Sequence, residues 1–334
     1  MKILFFKMGA IGDVLMTTPL VKQTRKAFPK AKIHYLVGES SSQILKNNKN
    51  IDKIIKFNER IITNKRILRW LKLTRNIKKQ NYDLIFVLDK HKIFNLTAKL
   101  TSIKTRIGFN RLKKDGIFLT KKVDYFQNKH DILAYLELLN KINPVDYKDT
   151  KMGVFPTEED KVFANKFWKD NKLKSKKVLV ICPGGGQNIG QRLSLKVWPT
   201  ENYIELIKKL RLKYKIILLG GETDKKIEKK ILSKIKVLSL IGNTTLHETA
   251  EIMRKANIVL TNDSGPMHIA SAVNNKIISL FGPTNPKVLA PLNKGSKYYW
   301  KLKRPTYDIY GNITNKRINP IKSITVKEVI KSIK

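Results

Sequence analysis

The chain has 334 residues, of which 42% are hydrophobic, and a formal net charge of +42 from 68 Lys and Arg against 26 Asp and Glu. This length suits two domains, and the hydrophobic fraction excludes a disordered chain. The sequence has no run of about 18 apolar residues, so no membrane span is predicted. The single cysteine, Cys182, excludes an internal disulfide. The apolar N-terminus is interrupted by charged residues, which predicts the first strand of a cytoplasmic protein rather than a signal peptide.

The first half of the chain alternates between predicted strands and helices. Strands are predicted at 2–8, 32–37, 51–57, 82–88 and near 106–109. Helices are predicted at 14–28, 63–80 and 131–142. Pro19 lies inside the first of these helices, where it either kinks the helix or sets its true first turn.

The second half repeats this alternation. Strands are predicted at 177–181, 215–219, 237–240, 256–260 and 276–281, and helices at 158–171, 202–212, after Asp224, at 246–254, from about Met267, and at 326–333. Strands alternating with helices predict an α/β fold with mostly parallel, doubly wound sheets. The predicted domains are 1–155 and 156–320, followed by a segment, 321–334, whose helix packs back on the N-terminal domain.

Several predicted strands end in turns rich in glycine and polar residues. The turns are 9–13, 183–186, 220–222 and 263–265. Ligands of open parallel sheets bind beyond the carboxyl ends of the strands, and the first turn of a helix after such a loop attracts a diphosphate or a ribose. Taken by itself, the last turn is better explained by plain helix capping by Asp263 and Ser264. The first turn lacks a G-x-G-x-x-G motif, and no cluster of metal-ligand spacing is present, so the sequence predicts no bound metal.

A set of motifs occurs in order along nearly the whole chain. They are Ile11-Gly12-Asp13-Val14, Thr17-Thr18-Pro19, Arg106-Ile107-Gly108-Phe109, Lys196-x-Trp198-Pro199, Gly220-Gly221-Glu222, Asn262-Asp263-Ser264-Gly265-Pro266-Met267-His268 and Phe281-Gly282-Pro283-Thr284-Asn285-Pro286. Together they resemble glycosyltransferase family 9, the heptosyltransferases of the lipopolysaccharide inner core. The resemblance implies a GT-B fold, with two Rossmann-like domains facing each other across a cleft. It also implies inverting transfer from a nucleotide sugar, ADP-heptose, without a metal or another cofactor.

The resemblance also assigns roles to individual residues. Asp13 corresponds to the general base, which takes the proton of the acceptor hydroxyl, and Lys196 to a cation that offsets charge on the departing diphosphate. Without the resemblance, Asp13 is most simply a helix cap and Lys196 a solvated lysine. The donor-binding positions are Gly184, Glu222, Asp263, Ser264, Gly265 and His268. The acceptor-side positions are Gly12, Thr17 and His91. Trp198 is predicted to pack, and the loop 187–194, which includes Arg192, is longer than the family suggests.

The sequence therefore predicts a monomer on the inner face of the inner membrane, whose acceptor is a phosphorylated glycolipid. The basic helix at 63–80, with Trp70 among its apolar residues, is the predicted contact with the anionic membrane surface. A lysine-biased composition with solvated faces explains the charge equally well. Alternatives are another nucleotide sugar or acceptor on the same fold, an oxidoreductase that binds a dinucleotide at Gly9–Gly12, and a non-catalytic nucleic-acid-binding protein, although no nucleic-acid partner is expected.

Overall fold

The computed structural model describes residues 1–111, 113–185, 187–188, 191–192, 194–307, 314–315 and 318–333. The chain divides into two compact units, Met1–Gly153 and Val154–Lys334. Each unit contains a six-stranded parallel sheet, which confirms the predicted α/β class. Among the helices of the described ranges, none is long and apolar enough to cross a bilayer.

In the first unit, the strands lie in the order β3-β2-β1-β4-β5-β6. They are β1 Lys2–Lys7, β2 Lys32–Gly38, β3 Lys53–Phe57, β4 Leu84–Val87, β5 Thr105–Arg111 and β6 Lys121–Tyr125. The helices are α1 Ile11–Met16, α2 Thr18–Ala27, α3 Arg60–Thr63, α4 Ile67–Lys78, α5 Lys92–Leu100 and α6 Asp131–Asn140.

The central strands of this sheet are buried on both faces. Every residue of β1 after Lys2 is buried, as expected for a central parallel strand, which reads as a continuous apolar run. Phe5 of β1 stacks on Tyr35 of β2 and Phe86 of β4, with ring centroids 5.8 and 5.0 Å apart. The predicted helix over 14–28 is in fact two helices, and Pro19 lies in the first turn of α2, where its missing N–H costs nothing.

In the second unit, the strand order is β11-β10-β7-β12-β13-β14, with β8 and β9 forming a separate two-stranded antiparallel ribbon. The strands are β7 Val178–Cys182, β8 Gln187–Asn188, β9 Gln191–Arg192, β10 Lys215–Leu218, β11 Leu238–Ser239, β12 Ile258–Asn262, β13 Ile277–Leu280 and β14 Lys297–Tyr299. The helices are α7 Glu158–Asp170, α8 Thr200–Leu210, α9 Lys225–Leu232, α10 Leu246–Lys255, α11 Gly265–Val273, α12 Pro286–Leu289 and α13 Val326–Ile333.

Both sheets have the strand order 3-2-1-4-5-6 of a Rossmann fold, in which ligands bind where the order reverses, beyond the first and fourth strands. In the first unit these strands are β1 and β4, and in the second unit they are β7 and β12. In each unit, a ligand-binding site is therefore expected among the residues that follow these strands.

The C-terminal helix α13 packs within the second unit. Its buried residues Val326, Val329 and Ile333 join the same apolar cluster as Trp198. The Tyr214 hydroxyl donates to the carbonyl of Ile333 at 2.9 Å, and the indole N–H of Trp198 donates to the carbonyl of Ile324 at 2.9 Å. These partners of α13 were not predicted from the sequence.

Candidate functional site

The first unit has a cluster of charged side chains beyond β1 and β4, which we call the first-unit cluster: Lys7, Asp13 and Asp89. The ammonium of Lys7, the last residue of β1, lies 2.7 Å from Oδ1 of Asp89 and 3.9 Å from Oδ2 of Asp13. The side chain of Lys7 is only 6% exposed. Burial alone would lower the pKa of Lys7, but Asp89 and Asp13 outweigh it and hold the pKa above its usual value. Lys7 is therefore a permanent buried cation between two carboxylates.

Asp13 lies in the first turn of α1 and keeps an accessible carboxylate. Its Oδ2 accepts a hydrogen bond from the N–H of Ala10 at 3.2 Å, so the helix-capping contact is present. The side chain nevertheless remains 40% exposed. This geometry leaves Asp13 able to accept a proton from a ligand while it caps the helix.

A second buried ion pair lies next to Asp89. The Lys90 ammonium is 2.6 Å from Oδ2 of Asp131 and 4.0 Å from the centroid of the Tyr125 ring. The Tyr125 hydroxyl donates to Oδ1 of Asp131 at 2.8 Å. The sequence did not predict this ion pair, nor the roles of Lys7 and Asp89. The only local signal for Lys7 and Asp89 was a charged residue directly at the end of a buried strand.

The predicted acceptor-side residues have different environments. Gly12 is buried in α1. Thr17 is fully buried, and its hydroxyl donates to the carbonyl of Val14 at 2.7 Å and lies 2.8 Å from the hydroxyl of Tyr35, so this placement supports packing rather than contact with a ligand. His91 is exposed and caps α5, with Nδ1 accepting from the N–H of Ile93 at 3.3 Å. Partial burial, followed by the charge of Arg111, lowers the pKa of His91.

In the second unit, Asn262 joins the ends of the two central strands. Its amide nitrogen donates to the carbonyls of Pro183 and Gly184 at 3.0 and 2.9 Å, and its Oδ1 accepts from the hydroxyl of Tyr203 at 2.9 Å. Because Asn262 is fully buried, these bonds fix the loop after β7 against the end of β12. Trp198 is also fully buried, which confirms its predicted packing role.

Lys196, Asp263 and Thr284 form the second-unit cluster. The Lys196 ammonium lies 2.7 Å from Oδ2 of Asp263, and the Thr284 hydroxyl donates to the same oxygen at 2.6 Å. The side chains of Lys196 and Asp263 are 12% and 3% exposed. Burial alone would raise the pKa of Asp263, but Lys196 and Thr284 hold it below its usual value. Lys196 is therefore part of a buried ion pair rather than one solvated lysine among many.

No side chain of the described residues caps the start of helix α11. The carboxylate of Asp263 pairs with the Lys196 ammonium and accepts from the Thr284 hydroxyl instead of capping the helix. The Ser264 hydroxyl donates to the carbonyl of Asn262 at 3.2 Å. The capping interpretation of these residues is therefore wrong. Gly265 is the first residue of this helix, and His268 is buried within it, close enough to help lower the pKa of Asp263.

Two glycines after β7 allow close approach of the surrounding loops. A Cβ on Gly184 would lie 1.9 Å from Oδ1 of Asp224, and a Cβ on Gly185 would lie 2.3 Å from the Cβ of Ser264. Gly185 also has a φ of +104°, which side chains rarely adopt. Burial raises the pKa of Asp224, which accepts a hydrogen bond from the N–H of Gly221 at 3.0 Å.

Replacing Gly185 with alanine should lower the free energy of unfolding by about 2 kcal/mol. The alanine would have a strained φ, and its methyl group would lie too close to the side chain of Ser264. Gly221→Ala is the matched control, since no heavy atom of the described residues lies within 4 Å of its Cβ position and its φ of −87° suits alanine. Chemical denaturation of both variants tests this, and equal stability of the two would contradict the crowded arrangement.

Glu222 is the most solvent-exposed of the predicted donor-binding side chains. It is 70% exposed, and its Oε1 lies 2.7 Å from the ammonium of Lys225. The backbone contact expected of a helix cap is made instead by Asp224. In the loop 187–194, the structure describes β8, β9 and Ser194, whereas residues 189, 190 and 193 and the side chain of Arg192 lie outside the description.

Comparison with known proteins identifies the chemistry associated with this fold. The model of glycosyltransferase family 9 (heptosyltransferase) matches residues 70–309. Lipooligosaccharide heptosyltransferase 2 of Haemophilus influenzae is 25% identical over 307 residues, which are 88% of this chain and 86% of that protein. Lipopolysaccharide heptosyltransferase 1 of Campylobacter coli is 27% identical over 303 residues, which are 85% of this chain and 84% of that protein.

Solved structures agree with these matches. The structure of E. coli ADP-heptose lipopolysaccharide heptosyltransferase II superposes with a TM-score of 0.76 at 21% identity, covering 100% of this chain and 97% of that chain. The family 9 glycosyl transferase from Veillonella parvula gives a TM-score of 0.79 at 23% identity, covering 99% and 95%. This likeness shows that the chain has the two-domain GT-B fold of these proteins.

Proposed function

The chain belongs to glycosyltransferase family 9, and from that membership we propose that it transfers a heptose from ADP-heptose to the inner core of lipopolysaccharide. The relatives at 25–27% identity are named as heptosyltransferases of lipooligosaccharide or lipopolysaccharide. The single observation that carries the proposal within this chain is the buried pair Lys196–Asp263, which lies at the uncapped start of α11. Such a helix start binds diphosphates.

The reaction that fits these residues is a direct displacement. The acceptor hydroxyl oxygen attacks the anomeric carbon, Asp13 takes the hydroxyl proton, and the bond from the anomeric carbon to the β-phosphate oxygen breaks to release ADP. One displacement of this kind inverts the anomeric configuration. The charge of Lys196 and the N–H groups of α11 would offset the negative charge that grows on the departing diphosphate.

No metal is required in this proposal, because Lys196 supplies a positive charge for the diphosphate. Among the residues that the structure describes, no group of three or more His, Cys, Asp and Glu is arranged to hold an ion. We expect the rate of heptose transfer to be unchanged by EDTA. A rate that falls with EDTA and recovers with added Mg²⁺ would contradict a metal-independent reaction.

The remaining donor contacts are assigned by family motif. Gly265 would allow close approach of the diphosphate, Gly184 would lie beside the donor, and Ser264 and His268 would line the sugar and phosphates. Glu222, which is exposed and forms an ion pair with Lys225, would contact the ribose or the base. Gly12 and His91 would lie on the acceptor side. We expect the protein to act as a monomer at the inner face of the inner membrane, where its lipid acceptor is found.

The direct test is incubation of the purified protein with ADP-heptose and core lipids that lack the inner heptoses. Mass spectrometry should show an acceptor enlarged by one heptose, and NMR of the product should show the inverted anomer. ADP-glucose and UDP-glucose are the comparison donors. A product formed from one of these and not from ADP-heptose would favour the alternative of another nucleotide sugar on the same fold.

A further inference from the structure

The outward face of α4 exposes three large aliphatic side chains. Leu68 is 84% exposed, Ile67 is 65% exposed and Leu71 is 46% exposed. Leu71 and Lys72 lie three and four residues after Leu68, and Arg75 lies one further turn along, so these residues form one face of the helix. Apolar side chains that lie together on a surface mark a contact with a partner more often than isolated ones do.

Other residues of α4 attach the helix to the first unit. The opposite face of α4 holds the helix in place, with Thr74 and Ile77 buried. The indole N–H of Trp70 donates to the Thr97 hydroxyl of α5 at 2.9 Å. Trp70, which the sequence placed among the membrane-contacting residues, is therefore turned towards α5, and Leu68 takes its place as the most exposed apolar residue of the helix.

The segment that carries this face contains charged residues of one sign. Residues 60–82, RIITNKRILRWLKLTRNIKKQNY, contain eight Lys and Arg and no Asp or Glu. All eight are exposed. Since none of them forms an ion pair with another described residue, the positive charge of this face is uncompensated within the part of the unit that the structure describes.

We propose that α4 docks on an anionic lipid bilayer, with Leu68 and Leu71 inserted among the acyl chains and the flanking cations at the headgroups. An aliphatic ridge bordered by lysine and arginine is the arrangement that binds in the interfacial plane of a membrane. Nucleic acid fits this face less well, because phosphates give leucine nothing to contact and the aromatic ring that could stack on a base is turned inwards. The inference does not depend on which sugar is transferred.

The test is co-sedimentation of the full-length protein with vesicles that contain no glycolipid acceptor. We expect binding to vesicles of phosphatidylglycerol and phosphatidylethanolamine, and at least tenfold weaker binding to phosphatidylcholine alone. Leu68→Asn with Leu71→Asn should weaken binding to the anionic vesicles by about tenfold or more, with every charge retained. Arg69→Gln, Lys72→Gln and Arg75→Gln together should also weaken it by at least that factor.

Matched controls separate this face from the general charge of the chain. Leu212→Asn with Leu292→Asn removes two leucines of the second unit that are 93% and 48% exposed. Lys226→Gln, Lys229→Gln and Lys234→Gln remove three exposed lysines of that unit. Both controls should bind anionic vesicles within about twofold of the unsubstituted protein.

Three results would overturn the proposal. Equal losses in the controls and the α4 variants would show that only total charge matters. Unchanged vesicle binding of the double leucine variant, with RNA binding lost in the charge variant, would assign the face to a polyanion. Self-association that the leucine variant abolishes would assign it to a second copy of the chain. Heptose transfer to a soluble, deacylated acceptor should be unaffected by Leu68→Asn with Leu71→Asn, so failure of this proposal is distinguishable from failure of the proposed activity.

Discussion

Asp13→Asn should lower kcat for heptose transfer by about a thousandfold while leaving KM for ADP-heptose within about threefold. A general base contributes roughly a factor of 10² to 10⁴, and an amide cannot take the proton of the acceptor hydroxyl. The substitution keeps the shape of the side chain and keeps an oxygen that can accept from the N–H of Ala10, as Oδ2 does now at 3.2 Å. Initial rates measured by mass spectrometry of the product provide the test.

The structure supplies a control for the alternative that Asp13 only caps α1. If capping were its whole role, the asparagine variant would keep its activity and most of its stability, because the amide oxygen of asparagine can still accept from the N–H of Ala10. Asp146→Asn, at an exposed turn of the same unit, should leave the rate unchanged. An Asp13→Asn enzyme with a kcat within a few-fold of normal would exclude Asp13 as the base.

The pattern of the chain predicted the fold because the deciding signals are local. Apolar runs such as β7 and β12 end in polar, glycine-rich turns, and this local alternation is enough to predict parallel strands. It also placed the candidate turns at one edge of each sheet. What it could not supply was the pairing of groups distant along the chain. Lys7 meets Asp89, 82 residues away, only because β1 and β4 are neighbours in the sheet.

Two strands that sequence reasoning missed, β6 and β14, lie where the apolar signal is weak. The strand β6, KKVDY, exposes both lysines and its aspartate, as suits the edge of a sheet, and β14 is an edge strand of only three residues. The strand β12 extends to Asn262, two residues beyond the predicted apolar run, because Thr261 and Asn262 still pair with β13 and their buried side chains form hydrogen bonds. The ends of these strands therefore depend on contacts with residues distant along the chain, which the local sequence pattern does not show.

Lys196→Met should have two separable effects. We expect kcat/KM for ADP-heptose to fall by about a hundredfold or more, because the cation that offsets the charge on the leaving diphosphate is lost. We also expect the free energy of unfolding to fall by about 3 kcal/mol, because Asp263, whose side chain is only 3% exposed, would be left as a buried charge without its cation. Donor kinetics and chemical denaturation of the same preparation measure the two effects.

Combining Lys196→Met with Asp263→Asn distinguishes catalysis from structure. The double variant no longer buries an unpaired charge, so most of the lost stability should return, whereas the activity should not. A recovery of activity would show that Lys196 is only a structural partner of Asp263.

The dependence of stability on pH below neutrality gives an independent check of the ion pair. Because the pKa of Asp263 is lowered in the folded state, the pair stabilises the protein above the usual carboxyl pKa of about 4, and this stabilisation is lost as the pH falls through the lowered value. The stability of the double variant should therefore depend less on pH in that acidic range than the stability of the unsubstituted protein.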